Sequence, residues 1–209
     1  MFWNMTATTQ RDRTLELLRH RSLMRLSDLK RHGIHTQTLS RLVEEGSIAR
    51  RGRGLYELAD ADVTLAHSLA EIALRVPSGV ICLISAAQYH EITLQAPRSI
   101  WVAIGGSDHK PKVTHLPVRF LHFGDAALRT GVQTVTIDGV KVKIFSPAKT
   151  VVDCFRYRRI AGLDVALETL RLALRSRKAK PDDIAHLAKQ LRIWTVIRPY
   201  LESVMADDA

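Results

Sequence analysis

The sequence predicts an α+β chain in two parts. Residues 1–60 form a small helical region with a basic hairpin, and residues 61–209 form a mixed sheet with flanking helices and a helical tail. Three observations carry this. Leu26 to Leu58 reads helix, tight turn, helix, hairpin. Val132–Ile137 and Val140–Phe145 are β-rich runs separated by Asp138-Gly139, a dipeptide whose twist suits a two-residue hairpin turn. After residue 61 strands gather among helices and then give way to helices alone, which is α+β rather than a wound α/β order.

Thr9-Gln10-Arg11-Asp12 has the Thr-x-x-acid pattern of a helix start, so Arg11–His20 is the first helix. Leu26–His32 is a short amphipathic segment broken by Gly33, and Thr36–Glu45 is a second helix that ends at Gly46. Ile48 with Ala49, and Tyr56 with Leu58, fit two short strands around an arginine-glycine tip. The expected core is Leu15, Leu18, Leu26, Leu29, Leu39, Leu42, Val43, Ile48 and Tyr56, and Ala59-Asp60-Ala61-Asp62 is the joint to the second region. This is the order of a winged helix-turn-helix.

At about 100° per residue, Leu39, Leu42 and Val43 share one side of the second helix. Gln37, Arg41 and Glu44 fall opposite, with Ser40 at the edge. Gln and Arg each reach a base edge with two hydrogen bonds, and residues early in such a helix reach deepest, which selects Gln37, Ser40 and Arg41. Thr36 and Thr38 suit phosphate at the positive helix end. The tip carries Arg50, Arg51 and Arg53 among glycines, which suits the backbone or a narrow minor groove.

Bulk charge agrees. The chain has 209 residues and a net charge of +10, which favours a polyanion. Residues 1–58 hold 11 Lys and Arg against 6 Asp and Glu, the remainder 20 against 15, so both parts are basic. No segment is long and apolar enough to span a bilayer. Met1-Phe2-Trp3-Asn4-Met5 lacks the pattern of a signal peptide, and the expected location is the cytoplasm. Cys82 and Cys154 lie in apolar surroundings as free buried thiols.

In the second region, Thr64–Val76 is a helix with Leu65, Leu69, Ile72 and Val76 on one stripe. Val80–Ile84 is a buried strand, and Ser85 caps a helix over Ala86–Glu91. Ile100–Ile104 and Val118–Phe123 are strands around the loop Gly105-Gly106-Ser107-Asp108, and the hairpin follows. Ser146-Pro147 opens a helix through Val151, Val152 and Phe155 to about Arg159. Leu163–Ser176 is helical with Leu163, Leu167, Leu170 and Leu174 in a row; Pro181-Asp182-Asp183 starts the last stretch, which Pro199 interrupts or kinks.

No catalytic pattern emerges, and neither a metal nor a cofactor is expected. Gly105-Gly106 lacks a following lysine or helix start, and Asp138 and Lys141 merely flank a turn. Asp164 and Glu168 are helix-surface acids, and His67 and His90 are polar-face residues. His109, His115 and His122 lie in loops or strand edges. Lys149 and Asp153 form an i,i+4 pair. Arg156, Arg158, Arg159, Arg171, Arg175, Arg177, Lys178 and Lys180 are either solvated helix faces or a secondary contact to DNA or an acidic partner.

Ser85-Ala86-Ala87-Gln88-Tyr89-His90-Glu91, Ile100-Trp101-Val102-Ala103, Ser146-Pro147-Ala148-Lys149-Thr150-Val151-Val152-Asp153 and Arg198-Pro199-Tyr200-Leu201-Glu202 follow the winged helix in order. That order resembles the AbiEi-type antitoxins of type IV toxin–antitoxin systems. The resemblance implies a DNA-binding repressor of its own operon, acting as two copies on inverted repeats. It also implies a functional partner, a nucleotidyltransferase-like toxin, without requiring a stable complex. It supplies no catalytic residue. Two other readings remain at this stage: a ligand-sensing regulator with its pocket in the mixed sheet, and a nucleic-acid-processing enzyme.

Overall fold

The computed structural model describes residues 9–52, 54–61, 64–113 and 116–207. Arg53, His115 and the Met1–Met5 segment lie outside the described residues, as does Asp62 of the expected joint. The chain divides into two compact units, Met1–Leu74 with Thr136–Lys141, and Arg75–Val135 with Val142–Ala209. The division falls near the end of a helix rather than at residue 60, and the first unit includes the tip of the Asp138-Gly139 hairpin.

In the first unit α1 (Gln10–His20) starts where expected: the Thr9 side chain accepts from the Asp12 amide at 3.1 Å. There follow β1 (Leu23–Arg25), α2 (Leu26–Arg31), α3 (Thr36–Glu44), β2 (Ile48–Arg50), β3 (Leu55–Leu58) and α4 (Leu65–Arg75). The three strands form an antiparallel sheet in the order β1-β3-β2. β1 is an addition to the expected elements. Three residues are too short to show a period, and no turn signal separates them from α2.

Leu18, Leu29, Leu39, Leu42, Ile48 and Tyr56 are buried together, joined by Met24 and Ile34, with Leu15, Leu26 and Val43 partly buried against them. β3 is central, so its other face is covered too: Leu55 and Glu57 are both buried. The hairpin tip takes positive φ at Asp138 (50°) and Gly139 (73°), the backbone a tight two-residue hairpin turn requires.

The second unit holds a mixed five-stranded sheet in the order β6-β5-β4-β8-β7. Its elements are β4 (Val80–Ile81), α5 (Leu83–Tyr89), β5 (Ile100–Gly105), β6 (Val118–Phe123), α6 (Asp125–Arg129), β7 (Val132–Ile137) and β8 (Val140–Phe145). The helices α7 (Pro147–Arg156), α8 (Arg158–Ala161), α9 (Leu163–Arg175), α10 (Pro181–Gln190) and α11 (Trp194–Asp207) complete it. β4 runs antiparallel to β5 and parallel to β8, and β5 runs parallel to β6. α7 is the core of this unit: every residue from Ala148 to Phe155 is buried. Ser146 caps it by accepting from the Lys149 amide at 3.3 Å, with Pro147 in the first turn.

Four expectations are corrected here. β4 is only two residues long, because the chain turns into α5 at Leu83, and Ser85 lies inside that helix rather than at its cap. There it is fully buried and accepts from the Trp101 amide at 3.0 Å, tying helix to strand. Of the leucine row on α9, Leu170 is fully buried and Leu167 and Leu174 pack partly buried against the core, while Leu163 is 39% exposed; Val165, Ala166, Thr169 and Ala173 complete the buried face. Small side chains there let α9 approach α7 closely. The tail breaks at Leu191–Ile193, while Pro199 sits inside α11. α7 ends at Arg156, and Tyr157 leads into the short α8. Among the described residues no helix is long and apolar enough to cross a membrane.

Candidate nucleic-acid interface

The site is built on α3 and the loop after β2. On α3, Leu39 and Leu42 point into the core, which turns Thr36, Gln37, Ser40 and Arg41 outward; all four are exposed and Thr38 is half-buried. Gln37, Ser40, Arg41 and Glu44 share one face by their spacing. The α2–α3 turn is fixed from outside the pair. Gln10 on α1 donates through Nε2 to the Gly33 carbonyl at 2.8 Å, and its Oε1 accepts from the His35 amide at 3.1 Å. Gly33 takes φ +78°, and the Ile34 amide bonds the Leu29 carbonyl at 3.0 Å. His35 precedes α3 with extended backbone and gives no side-chain cap.

The β2–β3 loop is closed by the Arg51 amide on the Leu55 carbonyl at 3.0 Å, with positive φ at Gly52 and Gly54. Arg50 is exposed, and its Nε donates to the Gly52 carbonyl at 3.3 Å. Arg51, whose side chain is 40% exposed, also makes a contact inside the fold. Its Nε pairs with Glu57 Oε1, a carboxylate with 0% side-chain exposure. Glu57 Oε2 lies 2.7 Å from His67 Nε2, and His67 Nδ1 lies 3.3 Å from Asp138 Oδ2. His67 is therefore a buried charged-network residue rather than a polar-face one. Burial pushes the Glu57 carboxyl up, but bonds from His67 and Arg51 hold it below its ordinary 4.5. The Glu57 hydrogen bond raises His67 above 6.5, against the opposing effect of burial.

The long-range contacts of Gln10, Glu57, His67 and Asp138 escaped sequence reasoning. An acid between Tyr56 and Leu58, in a strand preceded by three arginines, was the available signal for Glu57.

The basic residues of the second unit do not make one uniform surface. Arg156 Nη1 donates to the Leu191 carbonyl at 2.8 Å, and Arg158 Nη1 to the Phe155 carbonyl at 3.1 Å. Lys178 Nζ bonds the His90 carbonyl at 2.7 Å and Glu91 Oε2 at 2.6 Å. Arg175 also has a partner. Arg159, Arg171, Arg177 and Lys180 are exposed. These arginines and lysines close helix ends as much as they decorate a face.

Two further readings change, and a third holds in a buried setting. His90 is partly buried, with Nε2 2.7 Å from the Phe145 carbonyl. Glu168 is not a free surface acid: it accepts from Thr93 Oγ1 at 2.5 Å and the Leu94 amide at 2.6 Å, clamping that loop. Lys149 and Asp153 do pair, but both are 0% exposed, and Lys149 Nζ lies 4.0 Å from the Phe145 ring centroid and 5.2 Å from that of Phe123. Burial pushes Asp153 up to about 6 although Lys149 pulls it down, and burial lowers Lys149. Among the described residues no group of three or more His, Cys, Asp or Glu is placed to hold a metal ion.

The family model described as "Transcriptional regulator, AbiEi antitoxin" matches residues 12–59, the stretch from α1 to the end of β3. The resemblance drawn from sequence thus holds over that stretch, which supports a DNA-binding regulator. The crystal structure of RV2827C protein from Mycobacterium tuberculosis is similar in fold, with a TM-score of 0.58 at 12% identity over 94% of this chain and 80% of that one. No curated protein matches the chain by sequence.

Proposed function

We propose, from the regulator family matched over residues 12–59, that the first unit is a winged helix-turn-helix that binds duplex DNA sequence-specifically. α2 and α3 are its helix pair, and the β2–β3 loop is its wing. The observation that carries this is the two-sided build of α3: Leu39 and Leu42 buried, Gln37, Ser40 and Arg41 exposed on the opposite side. Gln37, Ser40 and Arg41 read base edges, Thr36 and Thr38 meet phosphate, and Arg50 with Arg53 holds the wing on the backbone or in the minor groove. We also propose that the chain works by binding rather than catalysis, represses its own operon from the cytoplasm and opposes a nucleotidyltransferase-like toxin.

The test is binding of the full chain to a labelled duplex spanning the region upstream of its gene, with a mixed-sequence duplex as reference. Arg41→Ala is expected to cost about 1–3 kcal/mol on the upstream duplex and little on the reference. Equal losses on both make Arg41 a phosphate contact, and no preference for the upstream duplex refutes autorepression. Deletion of the neighbouring gene tests the toxin: the chain becomes dispensable for growth only if that gene encodes what it opposes.

A further inference from the structure

We propose that Glu57, His67 and Asp138 form a positioning chain for the arginine loop between β2 and β3, so that its grip on duplex DNA depends on the proton held by His67. This rests on the proposed DNA-binding function and adds its regulation.

The four side chains alternate in charge: Arg51, Glu57, His67, Asp138. Glu57 sits on the central strand, opposite Leu23 of β1 and Ala49 of β2, with no exposed surface. A carboxylate so placed is costly unless both oxygens are matched. Here one oxygen takes Arg51 from the loop and the other takes His67 from α4, which is 4% exposed. The second imidazole nitrogen faces Asp138 at 3.3 Å. Only a doubly protonated imidazole donates to two carboxylates at once; a neutral ring presents a lone pair to one of them. The geometry therefore belongs to charged His67.

Removing that proton has a definite sign. The quartet passes from neutral to one net negative charge beside the loop. Glu57 must then be balanced by Arg51 alone, and Asp138 faces a lone pair. Both changes weaken attraction to phosphate and loosen the loop. Among the described residues, Arg19 from α1 and Asp60 after β3 line the same cavity of about 370 Å³ as His67 and Asp138, and buried Glu71 lies one turn along α4 from the histidine. The shift of His67 above 6.5 puts the transition on the alkaline side of that value.

The full chain is titrated onto the upstream duplex at fixed ionic strength from about pH 6 to pH 9. Wild-type binding is expected to weaken by about three- to tenfold as pH rises, the equivalent of one charged contact. His67→Gln is expected to lose that component. Other histidines near the helices, His20, His32 and His35 among them, remain in both proteins, so their contribution cancels. Asp138→Asn provides a second variant that keeps the turn, since asparagine tolerates the positive φ there; it should move the wild-type transition to lower pH. Circular dichroism checks that both variants fold. Identical pH profiles in wild type, His67→Gln and Asp138→Asn overturn the chain, while Arg50→Gln still weakening binding leaves the DNA reading standing. No binding by wild type at any pH overturns the DNA reading itself, and this one with it.

Discussion

Lys149→Met should strongly destabilise the second unit. In the wild type the ammonium is fully buried, lies over the Phe145 ring and pairs with Asp153 Oδ2, while Asp153 Oδ1 has no hydrogen-bond partner among the described residues. Methionine has a similar volume but removes the ion-pair and hydrogen-bond partner of the carboxylate, leaving only the more distant charge of Arg156. Breaking a buried pair this way costs about 3–5 kcal/mol, a large share of the roughly 5–15 kcal/mol that holds a domain together. The pH dependence follows from the sign of the shift. Asp153 already stands at about 6, above its ordinary 3.8, and losing the cation raises it further. The folded variant then takes up a proton at a pH where the unfolded chain does not. The deficit is therefore full above the raised value and shrinks as pH falls toward 3.8. Urea denaturation followed by tryptophan fluorescence measures it, since Trp101 is buried in this unit. Lys149→Met with Asp153→Leu should regain most of the loss, because the orphaned charge is gone. A single variant within about 1 kcal/mol of wild type, or a double variant no better than the single, refutes the reasoning.

Gln10→Ala should lower stability by about 1 kcal/mol and weaken DNA binding with it, because two hydrogen bonds that brace the α2–α3 turn disappear; thermal melting and anisotropy read the two effects. Gly139→Ala should cost at least about 1 kcal/mol, since φ is +73° and a Cβ would lie 2.8 Å from Arg21 Cγ; a melting curve checks it. Ser146→Ala removes the α7 cap and should cost about 1 kcal/mol in urea. Cys154, pushed up to about 12 by burial, and Cys82, raised well above 9, should resist alkylation in the native protein and react together on unfolding; native labelling of either thiol contradicts their burial.

Sequence patterning served best where a local rule decides the outcome. The Asp138-Gly139 turn, the Ser146-Pro147 helix start and the split of α3 into a leucine side and a polar side all follow from neighbours within a few residues. It failed where distant residues meet. Glu57, His67 and Asp138 come from three separate stretches, and no spacing rule joins them. Gln10 braces a turn more than twenty residues away. The leucine row of α9 marks the side that meets the core, but the row alone did not show that Val165, Ala166, Thr169 and Ala173 are buried beside Leu170. Lys149 and Asp153 were legible as a pair, but their complete burial depends on rings from β6 and β8.

The first unit is assembled from two separated pieces of chain, one of them the six residues Thr136–Lys141. A fragment stopped at Leu74 would keep α3 and the arginine loop and still be short of Asp138 and Gly139. Such a fragment would leave His67 Nδ1 without its facing carboxylate, so a truncation at that point would not reproduce the first unit as it stands in the full chain.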